Sequence, residues 1–212
     1  MINVQAEAKI VNEYDKTRFA NPGSHEWWSG SAELGINYDI PTSGSFQVYW
    51  LNGNSRYKWN YINGERADGV SKGWWPDGKL KDERTWKDGK QSGSFATWHE
   101  NGRQMWSGSF KSGSRDGLWT FWDNCGRKKE DGSWVDGQRE GLWIWYHENG
   151  QKQWERTYED GELNGAEILW HENGQIQGSG SYDDGNEVGV WTWWDATGSL
   201  VYRGDYTRHY SI

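Results

Sequence analysis

The sequence predicts an all-β fold: an elongated single-layer antiparallel meander of about seven 24-residue β-hairpin repeats. Long open sheets twist or coil, and this one is expected to do so. Three observations predict the fold. A glycine recurs at near-constant spacing, two aromatic columns keep step with it, and Asn-Gly or Asp-Gly pairs separate the short runs between. No stretch shows the 3.6-residue apolar period of a helix.

The glycines that open the repeats are Gly44, Gly69, Gly93, Gly117, Gly141, Gly165 and Gly189, spaced 25 residues once and 24 thereafter. A second set follows at Gly53, Gly78, Gly102, Gly126, Gly150, Gly174 and Gly198, and a third at Gly64, Gly89, Gly113, Gly137, Gly161 and Gly185. His209 holds the third position in the last repeat. One aromatic column runs Tyr49, Trp74, Trp98, Trp122, Tyr146, Trp170, Trp194, and the other Tyr61, Trp86, Phe110, Trp134, Tyr158, Tyr182, Tyr206. Residues 44–212 therefore hold seven repeats. Residues 1–43 follow the pattern poorly and read as an N-terminal cap or degenerate repeat.

Asn-Gly and Asp-Gly are the strongest short hairpin signals. Asn149-Gly150 and its equivalents are expected to form two-residue loops. The Asp-Gly-x-x-x-Gly bend, as in Asp136 to Gly141, is expected to be longer. Each repeat is then two strands of six to eight residues.

A two-residue loop at Asn149-Gly150 sets Trp145 opposite Trp154 and Trp143 opposite Arg156. Pairing the next strands with Arg156 opposite Glu167 generates one row across the sheet. It reads Phe46, Trp59, Ser71, Arg84, Phe95, Gly108, Trp119, Gly132, Trp143, Arg156, Glu167, Gly180, Trp191, Gly204. Rings alternate with glycine, so an indole is expected to lie over the bare backbone of its neighbour, with Gly132 between Trp119 and Trp143. The aromatic column facing the loop glycines is expected to follow the same rule. Where glycine is lost, Trp59 meets Ser71, and Arg156 meets Glu167 as an ion pair and Trp143 as a cation–π contact. Arg84 beside Phe95 fits the pattern less well.

Leu, Ile and Val are scarce, while 19 residues are Trp. Aromatic rows, each contact worth ~0.5–1.5 kcal/mol, are expected to replace an aliphatic core. Stability should then be a sum of nearest-neighbour contributions, as in solenoids.

The formal net charge of −8 argues against nucleic acid or anionic lipid as partner and favours a basic protein. No apolar run is long enough for a membrane span. The N-terminus lacks the basic start and apolar stretch of a secretory signal. The single cysteine, Cys125, excludes an internal disulfide. These features fit a cytoplasmic location or, alternatively, a virion.

The consensus Gly-x-Trp-x-x-Trp-x-x-Asn-Gly, an aromatic, then Asp-Gly-x-x-x-Gly resembles the MORN-repeat variant family (membrane occupation and recognition nexus), over about residues 44–206. Many bacterial members are labelled antitoxins, and MORN proteins elsewhere look like scaffolds, sometimes lipid-linked. The resemblance implies a non-enzymatic protein-binding repeat protein, of antitoxin or immunity type. The alternative is a structural or scaffold subunit of a larger assembly such as a phage particle. A carbohydrate-binding module, using stacked indoles, is a third reading.

No catalytic, metal or cofactor site is expected. His99, His147 and His171 share one repeat position, and neighbouring repeats put equivalent atoms about 10 Å apart, too far for shared ligation. Glu100, Glu148 and Glu172 beside them read as a solvated edge. Cys125 as a nucleophile would need a base, for which His99 and His147 of the flanking repeats are the candidates, and the turn role is favoured over that one. Trp27, Trp28, Trp50 and Trp75 stand off the aromatic columns and are candidates for partner contact. Asp136, Asp160 and Asp184 continue an acidic column that starts at Asp88, placed to steer a basic partner. Gly102, Trp119, Gly132, Trp143, Arg156 and Glu167 read as structural repeat positions. Open edge strands would permit oligomerisation.

Overall fold

The computed structural model describes residues 43–63 and 65–206. Fifteen strands form one antiparallel sheet: β1 Gly44–Tyr49, β2 Ser55–Ile62, β3 Glu65–Arg66, β4 Gly69–Trp74, β5 Leu80–Lys87, β6 Lys90–Trp98, β7 Gln104–Lys111, β8 Ser114–Trp122, β9 Lys128–Val135, β10 Gln138–Tyr146, β11 Lys152–Glu159, β12 Glu162–Trp170, β13 Ile176–Asp183, β14 Asn186–Trp194 and β15 Leu200–Asp205. Each pairs with its chain neighbours, except that β2 also pairs with β4 and the two-residue β3 lies off that path. The hairpin meander is therefore as predicted.

The two bends exchange the roles expected of them. The Asp-Gly bends are the two-residue loops. Val135 pairs with Gln138, and both Asp136 (φ 47°) and Gly137 (φ 91°) are left-handed, as a type I′ turn requires. Gly150 is left-handed (φ 85°), while Asn149 is not among the left-handed residues. His147 N–H donates to the Gln151 carbonyl and Gly150 N–H to the His147 carbonyl. The loop is thus three residues, a type I turn closed by a left-handed glycine.

The expected register survives because irregularities compensate. Tyr146 pairs with Lys152 but Trp145 with Trp154, so Gln153 is bulged out. Beyond the Asp-Gly bend, Glu140 pairs with Ser133 and Ile144 with Asp131, which sets Gly141–Trp143 against Gly132 alone. The pairs Phe46–Trp59, Ser71–Arg84, Phe95–Gly108, Trp119–Gly132, Trp143–Arg156, Arg156–Glu167 and Trp191–Gly204 are all formed.

This row is the core. Trp119, Trp143 and Trp191 are 1–2% exposed, though the sheet has one layer. Each indole leans back over the glycine of the strand before it. A Cβ built on Gly108 would lie 2.3 Å from Trp119, on Gly132 2.2 Å from Trp143, and on Gly180 2.1 Å from Trp191. Gly132 therefore receives Trp143 most closely. Rings two residues away on the same face close the sides: Trp143 lies 5.4 Å from Trp134, 5.9 Å from Trp145 and 6.3 Å from Tyr158. Its N–H donates to the Ser133 carbonyl at 3.0 Å. Arg139 stacks on it at 4.6 Å, as Arg115 does on Trp119. Removing an indole's ~200 Å² from water is worth up to ~5 kcal/mol, against ~1 kcal/mol for an exposed ion pair. The indoles, not the surface charges, hold the sheet.

Three expectations about this face need correcting. The glycines opposite the second aromatic column are not buried under rings: a Cβ on Gly69 or Gly141 would meet nothing within 4 Å. Their left-handed φ, +119° and +66°, is what requires glycine. Arg156 stacks on Trp154 (5.0 Å) and Trp145 (5.9 Å), while Trp143 takes Arg139 instead. Ser71, set opposite Trp59 by the β2–β4 register as expected, also accepts the Trp86 indole N–H at 2.8 Å. Arg84 fits after all, because Asp82, two residues along on the same face, meets its Nε at 3.0 Å and both are buried.

Gly132→Val is expected to destabilise the chain by ~1–3 kcal/mol through displacement of the Trp143 ring, read from the denaturant midpoint. A neutral result would remove the packing account. Arg156–Glu167 stands where other repeats hold the Gly–Trp pair, and its ion pair is bidentate at 2.7 and 3.3 Å with Glu167 buried. Arg156→Gly strands a buried carboxylate, and Glu167→Trp drives an indole into Arg156. Each alone is expected to cost ~3 kcal/mol. The double variant restores the Gly–Trp pair and should recover most of that loss in the same measurement.

Candidate functional site

The three-residue turns form a ladder along one edge of the sheet. One position opens every turn: Trp50, Trp75, His99, Asp123, His147, His171, Asp195. The Trp50 and Trp75 indoles donate to the Trp74 and Trp98 carbonyls, both at 3.0 Å. His99, His147 and His171 Nε2 lie 2.9, 2.8 and 2.9 Å from the Trp122, Trp170 and Trp194 carbonyls. A carbonyl accepts, so each imidazole donates from a protonated Nε2. Trp50 and Trp75 thus hold the position of the histidines, and Trp75 is buried. Trp27 and Trp28 lie outside the described residues.

A second ladder explains the Asn-Gly sequence. The Asn52, Asn101, Asn149 and Asn173 amides donate to the carbonyls of Pro76, Asn124, Glu172 and Ala196 in the next turn, at 2.6–2.7 Å. Their Oδ1 atoms accept the backbone N–H two residues on, at 2.9–3.1 Å. Asp77 and Cys125 cannot donate that bond. There Lys79 Nζ reaches the Glu100 carbonyl (3.1 Å) and Arg127 Nη1 the Glu148 carbonyl (3.2 Å) instead.

A third series covers the turn glycines. Lys79, Arg103, Gln151 and Gln175 lie 3.1–3.5 Å from a Cβ built on Gly102, Gly126, Gly174 and Gly198, and Asn54 lies 3.8 Å from one on Gly78. Of the seven turn glycines, Gly53 and Gly150 have nothing within 4 Å, and Gly53 has no described repeat before it.

The fourth repeat interrupts the pattern. Asp123 has no ring N–H for the Tyr146 carbonyl. Its carboxylate folds onto its own turn, accepting from the Cys125 and Arg127 N–H groups (2.9 and 3.0 Å) and from Arg127 Nε (2.8 Å). Burial pushes its pKa up, but those hydrogen bonds prevail and hold it below the ordinary aspartate value. Arg127, drawn to Asp123, leaves Gly150 bare. A cavity of about 350 Å³ opens there, lined by Arg127, Lys128, Tyr146, Glu148, Asn149 and Gly150. Burial, with the charges of Asp131 and Glu155, pushes the Tyr146 hydroxyl up to about 12, so it stays protonated. Cys125 is exposed in the same turn.

The face opposite the indoles is different in kind. The residue after each repeat's first glycine points to it: Ser45, Val70, Ser94, Leu118, Leu142, Ala166, Val190. Val70, Leu118, Leu142 and Val190 are 43–61% exposed. Across from them stand Thr85, Ser133, Thr157 and Asp205. This aliphatic stripe crosses several repeats. Val135, also exposed, extends it toward the Asp-Gly edge. Asp88, Asp136, Asp160 and Asp184 line that edge in left-handed turn positions. Lys111 stands 3.7 Å from Asp136, with both side chains mostly exposed. Sequence reasoning found the acidic column and missed the stripe. The signal was the alternation of side chains out from Trp119 and Trp143, which sends Leu118 and Leu142 to the opposite face.

Among the described residues no group of His, Cys, Asp and Glu is placed to hold a metal ion, and no helix is long and apolar enough to cross a membrane.

A family model for the MORN repeat variant matches residues 67–88, 139–160, 163–184 and 187–207. The span between the first two matches contains Asp123 and Cys125. No curated protein matches the chain.

Asn149→Asp keeps the turn's own hydrogen bond and removes the one to Glu172. It is expected to cost ~1 kcal/mol. Adding Gln151→Lys copies the Asp77–Lys79 arrangement and should restore most of the loss. Thermal unfolding of both variants checks this.

Proposed function

We propose, from four matches that support a MORN-repeat family, that this chain is a non-enzymatic binding repeat whose ligand is another protein. The exposed aliphatic stripe on the face opposite the indoles carries the reading. Apolar side chains repeated across an array are a normal docking surface when rimmed by charge. The rim here is Asp136, Asp160 and Asp184, whose placement suits a basic partner and would speed its encounter more than tighten it. The finer form of the proposal is an antitoxin or immunity-type partner, supported by the acidity of the chain and by the family resemblance.

A structural subunit is the second reading. Among the described residues β15 pairs with β14 alone, and it exposes Leu200, Val201 and Tyr202. Growth of molar mass with concentration in light scattering would favour it.

The test is capture of the neighbouring gene product by the intact chain at rising salt. Leu118→Asp with Leu142→Asp is expected to abolish capture without unfolding. Charge reversal at Asp136, Asp160 and Asp184 is expected to slow association and flatten its salt dependence. Capture that ignores both sets overturns this docking face. No protein partner, with binding to glycans instead, would move the chain to the carbohydrate class.

A further inference from the structure

The junction between the fourth repeat, which starts at Gly117, and the fifth, which starts at Gly141, departs from its neighbours in three linked ways. Its opening residue, Asp123, has no ring N–H. Its turn glycine, Gly150, is uncovered. A cavity stands over that glycine. The other repeats supply the template for what fits. At five junctions a tryptophan or histidine ring bridges to the carbonyl that corresponds to Tyr146 O.

We infer that this junction is a receptor slot for an aromatic ring bearing an N–H, tryptophan or histidine, presented by the bound protein. The inference rests on the protein-binding reading above. The chemistry of the walls suits such a ring. Bare glycine backbone accepts a flat aromatic surface, as it does under Trp119, Trp143 and Trp191. Lys128 Nζ already lies 5.6 Å from the Tyr146 ring centroid, and Arg127 also lines the cavity, so two cations border it. The ion pairs Arg127–Asp123 (2.8 Å) and Lys128–Asp131 (3.5 Å) neutralise these cations, which makes the slot a poor site for a free anion. The ring's N–H donates to the Tyr146 carbonyl, the bond that Asp123 cannot make. A single aromatic anchor in a pocket beside a broader apolar stripe is the usual distribution of binding energy at a protein interface.

The test titrates the purified full chain with N-acetyl-tryptophanamide, followed residue by residue in an amide NMR spectrum. N-acetyl-leucinamide is the control probe. Shifts are expected at Arg127, Lys128, Tyr146 and Glu148 to Gly150, with the tryptophan probe and not with the leucine one. Asp123→His and Asp123→Trp return the repeat's own ring. Each is expected to weaken probe binding by about tenfold or more and to raise the melting temperature. No wild-type response, equal shifts at the Gly126 and Gly174 turns, equal response to the leucine probe, or unchanged binding in a folded Asp123→His chain would each overturn the slot. Probe binding in a chain that captures no protein overturns the functional reading and leaves the slot standing. A partner captured through Leu118 and Leu142, with no probe response, does the reverse.

Discussion

The constraint on which this structure depends is the close approach of indole to glycine backbone. A single-layer sheet has no second layer to bury its apolar face. Here the face covers itself: β8, β10 and β14 each send an indole over the strand before, and glycine there leaves the room. Strand glycines ordinarily weaken a sheet. At Gly108, Gly132 and Gly180 that cost is offset by indoles that are almost wholly out of water. Arginines complete the cover. Arg115 and Arg139 lie over the rings of two strands at once, and burial lowers the pKa of Arg115 against the pull of Glu130.

Once one face is spent on packing, the other is left for recognition. Both edges are tied from repeat to repeat. The Asp-Gly edge, where left-handed aspartates line the turns, uses backbone bonds such as Gly137 N–H to the Arg115 carbonyl, and the other edge uses imidazole, indole and amide hydrogen bonds. Because each bond joins only neighbours, a change in one repeat has a local result. Asp123 and Cys125 break the ladder at one junction, and the consequence is a cavity at that junction.

Much of this was legible in the sequence. Side chains alternate with a period of two and the repeat length is even from Gly69 onward, so a register guessed at one bend carries to the others. That is why the row from Phe46 to Gly204 and the Arg156–Glu167 pair came out as read. Turn type was not legible, because the Gln153 bulge and the extra residues at Gly141–Trp143 hide loop length from the register. The cation–π partner of Arg156 was misplaced because an arginine reaches along its own strand to Trp154 as easily as across. The role of Trp50 and Trp75 was hidden for a different reason. They share a chemical property with histidine, a ring N–H, rather than a residue type.

Native-state hydrogen exchange tests the central claim most directly. If the indole–glycine row is the core, the amides of Gly132 and Gly180 and of their strand neighbours exchange slowest, near the limit set by global unfolding. Turn amides at both edges exchange far faster. Gly132 and Gly180 amides that exchange as readily as those of the turns would contradict it, and would place the stability of the sheet somewhere other than under its tryptophans.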